Sequence, residues 1–304
     1  MQPPIDFDPP VGVPETVAQG VRRIVAPNPS PMTFRGTNTY ILGTGDVAVI
    51  DPGPHNMEHL FALLAALGPD EQITHIVLTH SHLDHSPLAA ALKQETGARI
   101  YAFGPATKSR STVMTALAQS GHGGGGEGID TGFAPDIELD DGAKLTGTTW
   151  QIEAIHTPGH IANHLCFTTG DLLFSGDHIM GWATSLVSPP DGDLTAFMES
   201  CHKLLDRPEN TYLPGHGAPV TDAKKRVQWL IDHRLSREAQ IVEHLSHAPA
   251  TPADLTKTIY TDVNPALLPA AERNVFAHMI DLHTRAVVTC DGPLSPKNTF
   301  RRVG

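Results

Sequence analysis

The chain has 304 residues, of which 40% are hydrophobic and 53 are glycine or proline, and this composition indicates a globular, loop-rich protein of one or two domains. The net charge of −12 is unevenly spread: residues 1–220 hold 10 basic and 24 acidic residues, whereas residues 221–304 hold 11 and 9. Such an acidic body disfavours nonspecific binding to nucleic acid.

Cysteine usage and hydropathy bear on the cellular setting. The three cysteines lie far apart and form no CxxC pair, which argues against a disulfide framework and fits a reducing compartment. The first residues lack a basic segment followed by an apolar core, and no apolar run approaches the ~18 residues that span a bilayer. We therefore expect a cytoplasmic protein with no membrane association.

The N-terminal part predicts a β-meander after an irregular lead-in over residues 1–20. Three short apolar runs, residues 21–25, 39–42 and 47–50, are separated by glycine and asparagine turn signals. The third run ends at Asp51-Pro52-Gly53, a tight turn into a helix with apolar residues at helical spacing. Asp51 is either a turn or capping residue, or a carboxylate that orients a metal-binding histidine.

The motif Thr79-His80-Ser81-His82-Leu83-Asp84-His85 follows the next β-branched run. Three imidazoles and one carboxylate within six positions are typical of a metal site, because zinc and similar divalent ions take these groups as ligands. At the end of a strand, His80 and His82 can reach one ion while Asp84 and His85 reach a second.

Three later β-prone runs end in the same way, at turns that carry histidine or aspartate. These turns are Thr157-Pro158-Gly159-His160, Ser175-Gly176-Asp177 and Pro214-Gly215-His216-Gly217. One histidine beside a glycine would be weak evidence, but neighbouring strands end at one rim of a sheet, where proteins commonly place their sites. Together the four turns predict one metal-binding pocket.

Three further residues near these motifs are candidates for contact with a substrate. His164 follows His160 by four positions, and is either a substrate contact or a hydrogen-bonded histidine at a strand edge. His178 and Trp182 follow Asp177 in a segment that reads as an exposed loop, where both would line the pocket.

Residues 221–304 predict a winged-helix-like domain that follows a domain of residues 21–220. A long amphipathic helix over residues 221–247, a Thr251-capped helix and a helix over residues 266–283 precede a strand, a turn and a strand. The third helix has no stripe of lysine and arginine. We therefore favour packing over the active-site mouth, or a homodimer interface, over nucleic-acid binding.

The motifs resemble, in order and spacing, those of the metallo-β-lactamase-fold hydrolases. The resemblance implies an α/β fold, a four-layer αββα sandwich with two metal ions at one edge. By this correspondence His80, His82 and His160 hold the first ion, Asp84, His85 and His216 hold the second, and Asp177 bridges them. Secreted antibiotic-cleaving relatives have a cysteine where this chain has Asp177, so the resemblance favours the group that contains glyoxalase II, the lactonases and RNase Z.

With the C-terminal domain included, the chain resembles the lactamase-β-like endoribonucleases. Two divalent ions, with zinc as the first expectation and iron or manganese as alternatives, can share a bridging water and lower its pKa from ~15.7 to near ~7. The resulting hydroxide would attack an ester-type bond, with Asp84 orienting it or accepting its proton.

The substrate remains open between several classes. Family analogy suggests single-stranded RNA, whereas the acidic body favours a small thioester or lactone. An alternative from another class is a winged-helix nucleic-acid-binding protein with a non-catalytic metal domain, which predicts that some of the seven ligands are missing.

Overall fold

The apolar runs of the N-terminal half form one mixed sheet of seven strands in chain order. The structure, a computed structural model, describes residues 6–261 and 263–304. The strands are β1 (Glu15–Ala18), β2 (Val21–Val25), β3 (Asn38–Leu42), β4 (Asp46–Ile50), β5 (Gln72–Val77), β6 (Arg99–Ala102) and β7 (Ile137–Glu138). The first four are antiparallel neighbours, and β4 to β7 run parallel, with α1 (Met57–Ala65), α2 (Leu88–Thr96) and α3 (Thr112–Gln119) between them along the chain.

Strand β1 corrects the prediction of an irregular lead-in over residues 1–20. It pairs antiparallel with β2 through a turn at Gly20, whose φ of 71° is easily adopted by glycine. The buried Arg23 lies 2.6 Å from Glu15 across the pair. The strand has only four residues and its first two are exposed, so it leaves little apolar pattern in the sequence. Residues 1–5 lie outside the described residues.

The second sheet has five strands in the spatial order β12-β11-β10-β9-β8. They are β8 (Lys144–Thr146), β9 (Gln151–His156), β10 (Leu165–Thr169), β11 (Leu172–Gly176) and β12 (Thr211–Pro214). Neighbours from β8 to β11 are antiparallel, whereas β11 and β12 run parallel and are connected through α4 (Leu194–Leu205). The parallel pair brings the ends of β11 and β12 to the same edge.

The two sheets pack face to face, and helices cover their outer faces. Tyr40 and Ile50 of the first sheet meet Phe167 and Phe174 of the second in a fully buried layer. Burial of each such side chain stabilises the fold by about 1.5–3 kcal/mol. Helices α1 and α2 cover the outer face of the first sheet, and α4 covers that of the second. The predicted αββα sandwich is thereby confirmed.

The C-terminal module (residues 221–304) consists of three helices and a hairpin, as predicted for a winged helix. Its elements are α5 (Ala223–His247), α6 (Pro252–Ile259), α7 (Leu268–Thr284), β13 (Val288–Cys290) and β14 (Phe300–Arg302), with a 3-10 turn at Pro265–Leu267 before α7. Thr251 and Asp254 form a capping box that starts α6. Among the described residues, none of the helices combines the length and apolarity that a membrane span requires.

Helix α5 joins the module firmly to the sandwich. Val227 and Leu230, in its first half, belong to the apolar core beneath the second sheet. Ile241 and Leu245, near its end, belong to the core of the module, together with Met114 from α3. Because one helix serves two cores, the module has a fixed position against the edge where the strands end.

Candidate metal centre

The structure brings all seven predicted metal ligands together, and each of them is at least 92% buried. They follow the ends of four strands: His80, His82, Asp84 and His85 follow β5, His160 follows β9, Asp177 follows β11 and His216 follows β12. The side chains form a first group of His80, His82 and His160, and a second group of Asp84, His85, Asp177 and His216.

In the first group, three imidazole nitrogens converge on one point. Nδ1 of His82 lies 3.0 Å from Nε2 of His80 and 3.0 Å from Nε2 of His160. The remaining nitrogen of His160 is 2.7 Å from the carbonyl oxygen of Leu186, so Nδ1 carries the proton and Nε2 presents a lone pair.

His80 has the same tautomer for a different reason. Its Nδ1 lies 2.9 Å from the hydroxyl of Thr79, and that hydroxyl donates its own proton to Asp51 at 2.7 Å. The hydroxyl can therefore only accept from Nδ1 of His80, which leaves a lone pair on Nε2. A proton on Nδ1 of His82 can satisfy only one of these two inward lone pairs.

The protonation states of the first group suit a divalent cation. Burial lowers the pKa of His80 and His160, and it lowers the pKa of His82 to about 3. All three rings are then neutral near pH 7, which is the form that binds metal. The donor set and its unsatisfied lone pair both fit an ion at this point.

The second group combines two imidazoles with two carboxylates. Nε2 of His216 lies 3.1 Å from Oδ2 of Asp84 and 3.3 Å from Oδ2 of Asp177, and Nε2 of His85 lies 3.4 Å from both aspartates. Burial opposes protonation of His216, but the Asp177 and Asp84 carboxylates outweigh it and raise its pKa to about 10. Without an ion, a proton thus provides the positive charge that these carboxylates require.

Asp177 lies between the two groups. Its Oδ2 is 3.3 Å from Nε2 of His216 and 3.7 Å from Nε2 of His160. Its Oδ1 is buried, and its neighbour is Nε2 of His85 at 3.4 Å, too poorly aligned for a good hydrogen bond. Gly215 keeps this space open, since a Cβ there would stand 2.3 Å from Oδ1. A carboxylate oxygen with no well-formed hydrogen bond, beside a glycine, is suited to a cation, as its predicted bridging role requires.

Asp51 supports both groups from behind. Its carboxylate accepts from Nδ1 of His85 at 2.9 Å, and from the backbone amide and hydroxyl of Thr79 at 2.7 Å each. Of the two interpretations open from the sequence, this geometry matches a carboxylate that orients ligand histidines. Asp51 also has φ of 52°, a left-handed backbone that is uncommon outside glycine and is often held at functional sites.

The comparisons with known proteins agree with this arrangement. The description "Metallo-beta-lactamase superfamily" matches residues 32–216, which is more than half of the chain. The chain belongs to the metallo-beta-lactamase superfamily. A second description, "Beta-lactamase associated winged helix domain", matches residues 251–292. The protein is therefore a metallo-β-lactamase-fold hydrolase with a C-terminal winged helix, and its clustered histidines and aspartates are suited to metal ions.

Relatives of this hydrolase extend over most of the chain. It is 30% identical over 280 residues, 88% of each chain, to "Beta-lactamase-like protein 2 homolog" of Drosophila melanogaster. It is 29% identical over 268 residues, 81% of this chain and 75% of the other, to "Atrochrysone carboxyl ACP thioesterase" of Aspergillus fumigatus. A beta-lactamase domain protein from Burkholderia ambifaria has the same fold, with a TM-score of 0.80 at 19% identity over 98% of this chain and 96% of the other.

Two of the three predicted substrate contacts of the hydrolase do not line its pocket. His164 is fully buried, and its Nδ1 pairs with the hydroxyl of Thr157 at 2.9 Å. The prediction that His178 is exposed is wrong: it is fully buried, 3.6 Å from the sulfur of Cys201 and packed on Phe197. Helix α4 packs over this part of the loop and buries His178. Because α4 comes later in the chain, the residues next to Asp177 do not reveal this burial.

Trp182 does line the pocket, as predicted. The pocket is a cavity of about 230 Å³ whose floor is formed by His82, Asp84, His160, Asp177 and His216. Trp182 is half-buried in its wall and stacks on Phe34 at 5.0 Å. The wall continues with apolar side chains that sequence reasoning did not identify: Met32, Leu186, Leu267, Ala270 and Ala271.

Sequence reasoning also missed how the C-terminal module holds the loop of residues 185–187. Arg234, 98% buried, donates to the carbonyl of residue 185 at 2.5 Å and to the side-chain oxygen of Asn274 at 2.9 Å. The same oxygen accepts from the amide of residue 187 at 3.1 Å. Between these two anchors lies the Leu186 carbonyl that orients His160. The sequence did contain one sign of this contact: Arg234 lies four residues after Leu230, on the apolar face of α5.

Proposed function

We propose that this protein is a metal-dependent hydrolase that cleaves a carboxylic ester-type bond, in a thioester, ester or lactone. One observation carries the proposal: the two ligand groups meet at the floor of a cavity that no lysine or arginine of the described residues lines. The charged wall residue Glu127 is acidic, as are Asp84 and Asp177. A carbonyl substrate is compatible with such walls, whereas a phosphodiester chain usually meets cationic side chains.

The proposed ligands are those expected from the sequence. His80, His82 and His160 would hold the first ion, Asp84, His85 and His216 the second, and Asp177 both. Bound divalent ions would supply Lewis acidity and a water of lowered pKa. Imidazole and carboxylate accept zinc, iron and manganese alike, and zinc remains our first expectation.

The chain's own residues divide the remaining work. Asp51 and the Leu186 carbonyl hold the imidazoles in the tautomers that present lone pairs to the ions. Asp84 lines the cavity, with its Oδ2 3.1 Å from Nε2 of His216, so we assign it the role of accepting the proton of the attacking water. The ligands at the floor are at least 92% buried beside this apolar wall, and such burial strengthens electrostatic interactions there.

The position of α7 weighs against the nucleic-acid alternatives. This is the helix that a winged-helix protein would offer to DNA or RNA. Here Ala270, Ala271 and Asn274 face the cavity, and Arg273 donates to the backbone of Gly123 and the hydroxyl of Ser188, both at 3.3 Å. The side of α7 that carries these residues therefore faces the catalytic domain. The thioesterase named among the relatives lends further support to an acyl substrate.

A panel of metal-loaded assays tests the proposal. It should include an acyl thioester, a lactone, single-stranded RNA and a β-lactam, each with wild-type protein and Asp177→Asn. We expect metal-dependent turnover of the thioester or the lactone, lost in Asp177→Asn. Cleavage of RNA with no turnover of either acyl substrate would overturn the proposal.

A further inference from the structure

The cavity has a second region that the chemistry at its floor does not use. We propose that this region is an acyl-binding site whose far wall is built by the C-terminal module, and that Leu267 and Ala270 set the length of acyl group it accepts. The inference rests on the proposed function for the position of the reacting carbonyl, and on the cavity lining for everything else.

The lining defines the chemical class of the ligand. Apolar surface dominates, contributed by Met32, Trp182, Leu186, Leu267, Ala270 and Ala271. Away from the proposed metal ligands, Glu127 is the charged side chain among the described lining residues. A negatively charged tail there would meet like charge, and a polar tail would lose hydrogen bonds to water. An uncharged hydrocarbon chain meets no such repulsion and loses no hydrogen bonds.

The floor and the C-terminal residues line one continuous cavity. A substrate with its carbonyl at Asp84 and Asp177 therefore has this apolar space beside it for a group attached to the carbonyl carbon. The module is thus part of the substrate site, although its residues lie more than forty positions beyond the last ligand, His216. Neither domain alone encloses the cavity.

Two residues at the start of α7 are positioned to limit the length of the acyl group. Leu267 ends the 3-10 turn and Ala270 lies in the first turn of the helix, both half-buried in the cavity wall. Because Leu267 is large and Ala270 is small, a smaller residue at the first position enlarges the cavity and a larger residue at the second reduces it. Asn274, one turn further, is held by Arg234 and by the amide of Val187, which fixes the helix and makes the wall rigid.

The expected effect is a chain-length preference. Each methylene moved from water into an apolar site contributes ~0.8 kcal/mol, or roughly a fourfold gain in kcat/KM, until the wall is reached. Ala270→Leu, which reduces the cavity, should shift the preferred acyl length to shorter groups. Leu267→Ala, which enlarges the cavity, should shift the preferred length to longer groups.

The experiment compares straight-chain acyl thioesters from acetyl to decanoyl, with binding of the corresponding free carboxylic acids measured by calorimetry on zinc-loaded protein. The variants are Ala270→Leu and Leu267→Ala, whose opposite effects separate cavity size from general damage. The matched control is Ala266→Leu, an exposed position outside the cavity in the same segment, which should keep the wild-type profile.

Each outcome decides one of the two proposals. Opposite shifts of the two variants, in hydrolysis or in acid binding, support the acyl site. If acid binding shifts but no thioester is hydrolysed, the acyl site stands and the proposed hydrolysis fails. One common length profile for wild type, both variants and the control overturns the acyl site, even if hydrolysis is found.

Discussion

The two ends of the cavity differ in how their side chains are held. At the floor, four of the seven ligands have a hydrogen-bond partner behind them: Thr79 for His80, Asp51 for His85, the Leu186 carbonyl for His160 and the Gly36 carbonyl for His216. At the wall, the apolar side chains are held by packing. Preorganised polar groups suit chemistry that is common to all substrates, whereas packed apolar groups suit selection among substrates.

This difference predicts two kinds of mutant. Changes at the floor should reduce turnover of every substrate by a similar factor. Changes at the wall should alter the ratio between substrates and leave the chemistry intact.

The largest effect is expected from Asp177→Asn. The amide removes the charge that lies between both ligand groups, so kcat should fall by about 10³-fold or more for all acyl substrates. Steady-state kinetics on short and long thioesters checks this. Asp206→Asn, at an exposed position at the end of α4, is the matched control. A loss of kcat confined to long thioesters would contradict the assignment of Asp177 to chemistry that is common to all substrates.

The next effect comes from the C-terminal module acting on the floor. Arg234→Met and, separately, Asn274→Ala should free the loop that carries the Leu186 carbonyl and lower metal affinity by about 10–100-fold. Competition against a chromophoric chelator measures this without any substrate. Arg302→Met, an exposed change in the same module, should have no effect. Unchanged metal affinity in both variants would show that the loop holds His160 without help.

A third prediction concerns pH and the support of Asp51. Burial lowers the pKa of His59 from 6.5 to about 4, and its Nε2 lies 2.8 Å from the Thr39 hydroxyl, which donates to the Asp51 carbonyl at 2.7 Å. The unfolded chain therefore takes up this proton first, and acid favours unfolding. Between about pH 7 and about pH 5 this residue should remove about 2 kcal/mol of stability.

Denaturant unfolding of His59→Gln at both pH values tests the assignment. The variant has no titrating group here, so its stability should fall less than that of the wild type over the same interval. Equal losses in the two proteins would show that His59 is not held neutral.

The smallest effect is expected at the wall. Trp182→Ala removes one side of the cavity and the stack on Phe34, so kcat/KM for a long acyl thioester should fall about tenfold. The acetyl thioester should be nearly unaffected. Phe61→Ala, an exposed aromatic on α1, controls for the loss of ring surface. An equal loss of kcat/KM on both thioesters would show that Trp182 acts on the chemistry at the floor and not on substrate selection.

The floor was predictable because its residues sit in short motifs at strand ends. Strand topology then determines that His80, His160, Asp177 and His216 meet, whatever the details of packing. Asp51 could be placed near the site, but its choice of partner depended on a left-handed turn that the sequence leaves open.

The wall and the loop clamp could not be predicted in the same way. Met32, Leu186 and Ala270 lie far apart in the chain, and their meeting depends on how α5 positions the module. His178 shows the converse error: it follows a ligand directly, yet α4 buries it on the far side of the loop. Neighbours in sequence share a site only where the backbone keeps them on the same side.

The central claim is that the two ligand groups hold the ions that make this protein an acyl hydrolase. Titration of metal-free protein with Zn²⁺, while the hydrolysis of an octanoyl thioester is followed, tests it most directly. We predict that activity is absent at the start and reaches its plateau at two ions per chain. Full activity in the metal-free protein, or folded protein that binds no zinc, would contradict the claim.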